Sequence, residues 1–335
     1  MSDPPAPSHD GSLTDAAARE PTTPWGSSVL YAAAKMYYSE DATQAEIATR
    51  MGISRATVSR VLSEARRRGI VKITVIEPAP DADDELRRAV ERELSLDRVF
   101  IAPATGTASP LADEQLGPAL GPAVGRALTE AGLVHGDALL VSSGRTLYEV
   151  ARTRLPQLPG VLVAPAVGGI DQPEDWFQTN EITRLLAAAT GGRALYLFAP
   201  ALPGAGLHAT LRRDPTIQRV LGLWSQATVV LTGVGAPPLL RTQVPQYVPT
   251  AADTLRRAVG DVCGRFFDRD GRPVEFEGSD RLIALGLDDL RRLPAVIGVA
   301  TGPTKVQPII TAARAGYLDQ LVTDQATAEE ILTRI

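Results

Sequence analysis

Cysteine is nearly absent: Cys263 is the only one in 335 residues. No internal disulfide can form, which fits a reducing, cytoplasmic compartment. Histidine is almost as scarce. His9, His135 and His208 are scattered along the chain, so no metal-ligand cluster and no bound metal are expected. Lysine is rare too, with Lys35, Lys72 and Lys305 the only three among 34 basic residues. Long apolar runs are missing. No stretch of ~18 apolar residues escapes a charge or a Pro/Gly break, which excludes a transmembrane helix. A large net charge is also missing. With 34 basic and 39 acidic residues the balance is -5, so a nucleic-acid site must come from local clustering. Hydrophobic content of 44% and charged content of 22% exclude a wholly disordered chain, a collagen and a coiled-coil rod. At ~150 residues per domain, this length suggests about two domains.

Residues 1–26 lack a basic n-region and an apolar h-region, so no secretory signal is expected there. Their proline, serine and acid content reads as a disordered tail. Residues 27–77 hold three helical patterns and a strand. The first, over 29–39, places Val29, Leu30, Ala33, Met36 and Tyr37 on one face. The second starts at Thr43, which forms a capping-box pattern with Glu46, and stops at Gly52. Ser54 caps the third, SRATVSRVLSEARRRG. Two short helices around MGIS, the second rich in Arg, Ser and Thr, form a helix-turn-helix pattern. Between Arg55 and Lys72 there are six basic residues and one acid, Glu64. Phosphates attract such a face while the rest of the chain repels them. Residues 70–77 then alternate as a strand or wing would. The expected DNA contacts are Thr43, Gln44, Ser54, Arg55, Ala56, Thr57, Ser59 and Arg60, with Gln44 on the DNA backbone and Arg55, Thr57, Ser59 and Arg60 at bases or phosphates.

A linker over 78–84, marked by Pro78, Pro80 and a run of Asp, leads to the second module, residues 85–335. There, strands alternate with helices: 99–104, 138–143, 161–167, 194–200, 227–235, 282–286, 296–301 and 321–323 read as strands. Continuous apolar strands between helices imply a mainly parallel sheet covered on both faces. Alternation around Asp270-Gly271 suggests a β-hairpin excursion.

Ligands of such sheets bind at the carboxyl ends of strands. Those ends hold Ser142, Ser143 and Gly144; Gly168 and Gly169; Gly233 and Gly235; and Gly302. SSGRT places a Gly turn between a strand and a helix, with Ser142, Ser143, Arg145 and Thr146 able to donate to a phosphate. An ordinary strand-to-helix turn would look the same. Lys305 follows another strand end and is the only lysine of this module. A compact ammonium suits a sugar hydroxyl or phosphate in a tight pocket, though chance placement accounts for it equally well.

Two stretches resemble the SorC family of bacterial transcriptional regulators. The first is YAAAKMYYSEDATQAEIATRMGISRATVSRVLSEARRRGIVKI. The second comprises VSSGRTL, QTNEITRLLAAATGG with ALYLFAPA, LTGVG, GDVCGRFFDRDGRPV and LRRLPAVIGVATGPTKVQPIITAARAGYLDQLVTDQATAEEIL. The resemblance implies an α/β protein in which a winged helix-turn-helix precedes a doubly wound, mainly parallel α/β effector domain. It implies no cofactor, operator DNA and a sugar, sugar phosphate or polyol as partners, and a homo-oligomer, by family a tetramer. It further implies that SSGRT takes the phosphate, that Gln178 and Asn180 lie near the sugar, and that Asp261, Asp289 and Lys305 line the pocket. Pro303 and Pro308 depart from the family pattern, which has a glycine and a small residue there. The competing reading is a sugar-phosphate isomerase or deaminase with an accessory DNA-binding domain. Such chemistry needs a positioned base. Asp171, Glu174 and Asp175 could reach a ligand, but no base and acid stand at sharp spacing.

Overall fold

A computed structural model of the chain describes residues 25–40, 42–71, 81–102, 113–241, 243–249 and 253–335, with 81–83 and 113–114 described by backbone alone. The tail through residue 24, the wing from residue 72 and linker residues 78–80 lie outside them. The chain divides into two compact units at Pro78.

The first unit contains α1 (Ser27–Tyr38), α2 (Gln44–Met51) and α3 (Arg55–Arg67). A complete capping box starts α2. The Glu46 N–H donates to Thr43 Oγ1 at 3.3 Å, and the Thr43 N–H donates to Glu46 Oε2 at 2.8 Å. Two orphan amides are thereby satisfied. The Thr43 N–H, with the Thr43 hydroxyl second, holds the Glu46 carboxyl below its usual range. Gly52 closes α2 at φ 65°, a left-handed turn that a Cβ would strain. Ser54 Oγ then accepts the Thr57 N–H at 3.1 Å and starts α3. Leu30, Ile47, Val58, Val61 and Leu62 form one core between the three helices.

The second unit runs α4 (Asp81–Leu94), β1 (Arg98–Ala102), α5 (Asp113–Glu130), β2 (Ala138–Val141), α6 (Arg145–Ala151) and β3 (Leu162–Pro165). It continues with α7 (Thr179–Thr190), β4 (Arg193–Ala194), α8 (Ala205–Leu211), α9 (Pro215–Trp224), β5 (Val229–Gly235), β6 (Gly260–Val262) and β7 (Arg265–Phe267). It ends with α10 (Leu287–Leu290), β8 (Val296–Val299), α11 (Val306–Arg314), β9 (Gln320–Asp324) and α12 (Gln325–Arg334). Seven strands pair in parallel in the order β1-β9-β8-β5-β2-β3-β4. Their side chains alternate between two cores. Leu140, Val230 and Val296 face α4, α9, α11 and α12, whereas Leu139, Val229 and Ile297 face α5, α6 and α7. Burial on both faces is why these strands read as unbroken apolar runs.

Glycine spacing in α5 decides where α6 sits. A Cβ on Gly117 would overlap the Glu149 carbonyl, and one on Gly121 would overlap the Thr153 side chain. The two helices therefore touch backbone to backbone.

Several expected elements differ. The strand expected over 194–200 pairs with β3 at Arg193–Ala194 and returns for a single bridge, Gly169 to Pro200. Between them the Asn180 side chain takes both backbone groups of Leu197, at 3.0 and 3.2 Å, where a ladder partner would. The expected strand over 282–286 is reduced to one bridge, Val167 to Ala284. Helix α6 stops at Ala151 although residues up to Leu155 continue its apolar pattern. Pro156 follows, and proline disfavours helical geometry in the residue before it. The hairpin turns at Cys263-Gly264, between β6 and β7. Asp270-Gly271 makes a second reversal, bridging Phe267 to Pro273.

Candidate functional site

In the first unit, α3 exposes Arg55, Ala56, Ser59 and Arg60 on its outer face, with Thr57 half-buried. Two of the expected DNA contacts are committed to the helix start. The Ser54 and Thr57 hydroxyls lie 2.8 Å apart, and Ser54 also caps the helix. Thr43 is likewise held in its capping box, and Gln44 is half-buried at the first turn of α2. The basic cluster is weaker than its residue count implies. Glu64 is buried and pairs with Arg67 at 2.7 Å and Arg68 at 2.6 Å. These guanidinium groups, Arg67 first, hold its carboxyl below the usual range.

In the second unit, β2 leads through α6 to β3 on one side of the sheet, and β5 leads towards β8 on the other. Strand order reverses between β2 and β5, and such a switch point opens a crevice at the carboxyl ends. A cavity of about 470 Å³ lies there. Its rim holds Ser142 to Thr146 after β2, Gly233 and Gly235 on β5, and Gly302 and Lys305 after β8.

Each group is positioned by identifiable bonds. Gly144, at φ 138°, starts α6 and donates its N–H to the Trp176 carbonyl at 2.9 Å. Arg145 lies over the Trp176 ring, its Cζ 4.0 Å from the centroid, and donates to Gln243 Oε1 at 3.1 Å. Ser142 is buried, and its hydroxyl accepts from Thr232 Oγ1 and from the Gly233 N–H at 3.1 and 3.3 Å. It stitches β2 to β5. Asp261 forms an ion pair with Arg241 and accepts the Gly264 N–H at 3.0 Å. A Cβ on Gly235 would occupy the space of both partners of that pair. Lys305 Nζ donates to the Val234 carbonyl at 2.8 Å. Burial, aided by Arg241 and opposed by Asp261, pushes its ammonium pKa down to about 8. Burial also pushes the Cys263 thiol up to about 12, which leaves it inert, and raises the Tyr247 phenol.

Five expected contacts fall elsewhere. Asn180 pins Leu197, and Gln178 donates to the Ile170 carbonyl at 3.2 Å. Gly168 and Gly169 donate to the Ile283 and Ala199 carbonyls at 2.9 and 2.8 Å, and a Cβ on Gly168 would press on the backbone of 199–201. These four residues hold segments together behind the site. Asp289 lines a second cavity, of about 430 Å³, where it pairs with Arg292 and caps α10 by accepting the Gly286 N–H at 3.3 Å. Asp175 accepts from the Tyr148 hydroxyl at 3.0 Å, and Glu174 from Gln243 at 3.2 Å.

Sequence reasoning missed Arg241, Gln243, Tyr247 and Trp176, all of which line the cavity. Arg241 to Tyr247 arrive on the long connection from β5 to β6, and no local spacing marks them. Among the described residues, no group of three or more His, Cys, Asp or Glu could hold a metal ion. No described helix is long and apolar enough to cross a membrane.

Among the described residues, the charged side chains on the cavity are Arg145, Arg241 and Lys305 against Asp261. Three cations facing one carboxylate leave the lining net positive. Such a surplus suits a small polyhydroxylated anion.

Comparison with known proteins agrees with both units. Residues 80–333 match a family model for a "sugar-binding domain", and residues 35–68 match one for sigma-70, region 4. The chain is 32% identical over 307 residues to the deoxyribonucleoside regulator of Bacillus subtilis, covering 90% of this chain and 96% of that one. It is 30% identical over 314 residues to the sorbitol operon regulator of Klebsiella pneumoniae, covering 89% and 96%. The crystal structure of the full-length sorbitol operon regulator SorC from Klebsiella pneumoniae superposes with a TM-score of 0.72 at 27% identity. It covers 91% of this chain and 98% of that one.

Proposed function

The chain belongs to the SorC family of sugar-responsive, DNA-binding transcriptional regulators, and from that premise we propose that a phosphorylated sugar or polyol in the switch-point cavity sets its affinity for operator DNA. The observation that carries this is the charge of the cavity: three cations and one carboxylate converge from separate strand ends. Arg145, the Ser143 and Thr146 hydroxyls and the amides at the start of α6 receive the phosphate. Lys305, from the β8 side, adds its charge to that of Arg145 and, with Asp261 on the β6 side, holds the sugar hydroxyls. A ligand that bridges several loops favours one arrangement of them over another, and only such a difference in affinity can move the operator equilibrium. The expected coupling is ~1–3 kcal/mol, about 5- to 150-fold in operator affinity.

In the first unit, Arg55, Ser59 and Arg60 reach into a major groove, while Gln44 and Thr43 approach the DNA backbone. Glu64 offsets one of the two charges of Arg67 and Arg68, so this pair attracts phosphate less than two free guanidinium groups would. One recognition helix reads a single half-site, so the working form is a homo-oligomer, and its operator places it in the cytoplasm. Light scattering that returned the 35.5 kDa monomer at micromolar concentration would remove the oligomer.

The cavity binds and does not turn over its ligand. Its acid, Asp261, is held by Arg241 and by the Gly264 N–H, which leaves it poorly placed to take a proton from carbon. The test is thermal shift against free and phosphorylated sugars, followed by calorimetry on the ligand that stabilises. Arg145→Ala with Thr146→Val abolishes effector binding and leaves operator binding intact. A double variant that binds the effector as tightly as wild type would place the anion elsewhere.

A further inference from the structure

We infer that Thr327 is a positioning residue. Its buried hydroxyl ties the cavity loop after β8 to the helix pair α12–α4, which adjoins the DNA-binding unit in sequence. The inference rests on the cavity reading above. Gly302 lines the cavity at φ 98°, and its two backbone groups face two ways. Its carbonyl accepts the Lys305 N–H at 3.0 Å, closing the turn that presents the ammonium. Its N–H donates to Thr327 Oγ1 at 2.7 Å.

Thr327 is 3% exposed and sits in the first turn of α12. Its own N–H donates to Asp324 Oδ1 at 2.8 Å, so the hydroxyl is fixed to the helix start. Farther along α12, Ala328 and Ile331 share a core with Val90 and Leu94 of α4. Helix α4 begins at Asp81, the first described element after the unit boundary at Pro78. A ligand that draws Lys305 moves Gly302. Packed helices shift as rigid pieces, so that movement passes to α12 and α4, with this hydrogen bond as the polar link beside the packing of α11 on both.

Thr327→Val keeps the shape of the side chain and removes the acceptor, while Thr327→Ser keeps the acceptor. Amide hydrogen exchange of the full chain without ligand is the test. In Thr327→Val, exchange rises about tenfold, the value of one hydrogen bond, across 300–305, α12 and α4. Thr327→Ser matches wild type. A rise confined to 300–305, or Thr327→Ser behaving like Thr327→Val, would overturn the inference, because a merely local role predicts it. A second arm adds inorganic phosphate at millimolar concentration. Wild type then slows at 142–146, 300–305 and α4, and Thr327→Val slows at the cavity loops alone. Phosphate that slows neither cavity loop in wild type counts against the anion site itself, and the ligand-free comparison then decides the role of Thr327.

Discussion

Lys305 costs the folded protein stability in order to be ready for an anion, and removing it exposes that cost. Its pKa falls from 10.5 to about 8 on folding, because burial strips water from the ammonium. The unfolded chain therefore holds this proton more tightly than the folded one. Below pH 8 both states are protonated and the folded state bears the full penalty. As pH rises from 8 to 10.5 the folded Lys305 is neutral while the unfolded one is still charged, and stability recovers. At ~1.36 kcal/mol per unit, the penalty at neutral pH is about 3 kcal/mol. Lys305→Met escapes it and forfeits the bond to the Val234 carbonyl, so the net gain is about 2 kcal/mol. In a unit of this size that is ~4–8 °C in Tm. Thermal unfolding of wild type and Lys305→Met at pH 7 and pH 10.5 is the assay. The variant should melt higher at pH 7, the gap should close by pH 10.5, and effector binding should be lost at both. A variant no more stable at pH 7, or a gap unchanged with pH, would refute the buried-ammonium argument. Wild-type binding of a phosphorylated effector should also take up protons near pH 8, since a bound anion raises the lysine pKa.

Two further outcomes follow from the geometry. Arg60→Ala should weaken operator binding by ~1–3 kcal/mol if the guanidinium reads a base; a gel shift with unchanged affinity would remove α3 as the reader. Gly117→Ala puts a methyl group into the Glu149 carbonyl, and overpacking of this kind costs ~1–3 kcal/mol, more than the helix propensity of alanine returns. Urea unfolding showing a variant as stable as wild type would mean that α5 and α6 do not need backbone contact.

Much of this protein is decided locally, and local order is legible in sequence. The capping box at Thr43, the turn at Gly52 and the cap at Ser54 each depend on residues within four positions, so the helix-turn-helix could be read directly. Parallel strands buried on both faces announce themselves as apolar runs, and the Gly and Ser residues that end β2 and β5 mark the crevice. The resemblance to the SorC family, drawn from short motifs in both modules, agrees with the family match over residues 80–333.

Long-range order was decided only in three dimensions. By family resemblance Asn180 lies near the sugar, yet it stands in for a missing ladder partner of Leu197, because the chain leaves the sheet there. By family resemblance Asp289 lines the pocket, and only the path from β7 to β8 carries it to a different cavity. Arg241 and Gln243 reach the site on a connection whose length hides their destination. Glu64 reads as one acid in a basic run, but burial makes it the clamp on two of the arginines. Spacing along the chain determines what a turn of helix or a strand end contains. Which strand ends meet depends on sheet order and on contacts such as Gly117 against Glu149, where two distant segments must fit the same space.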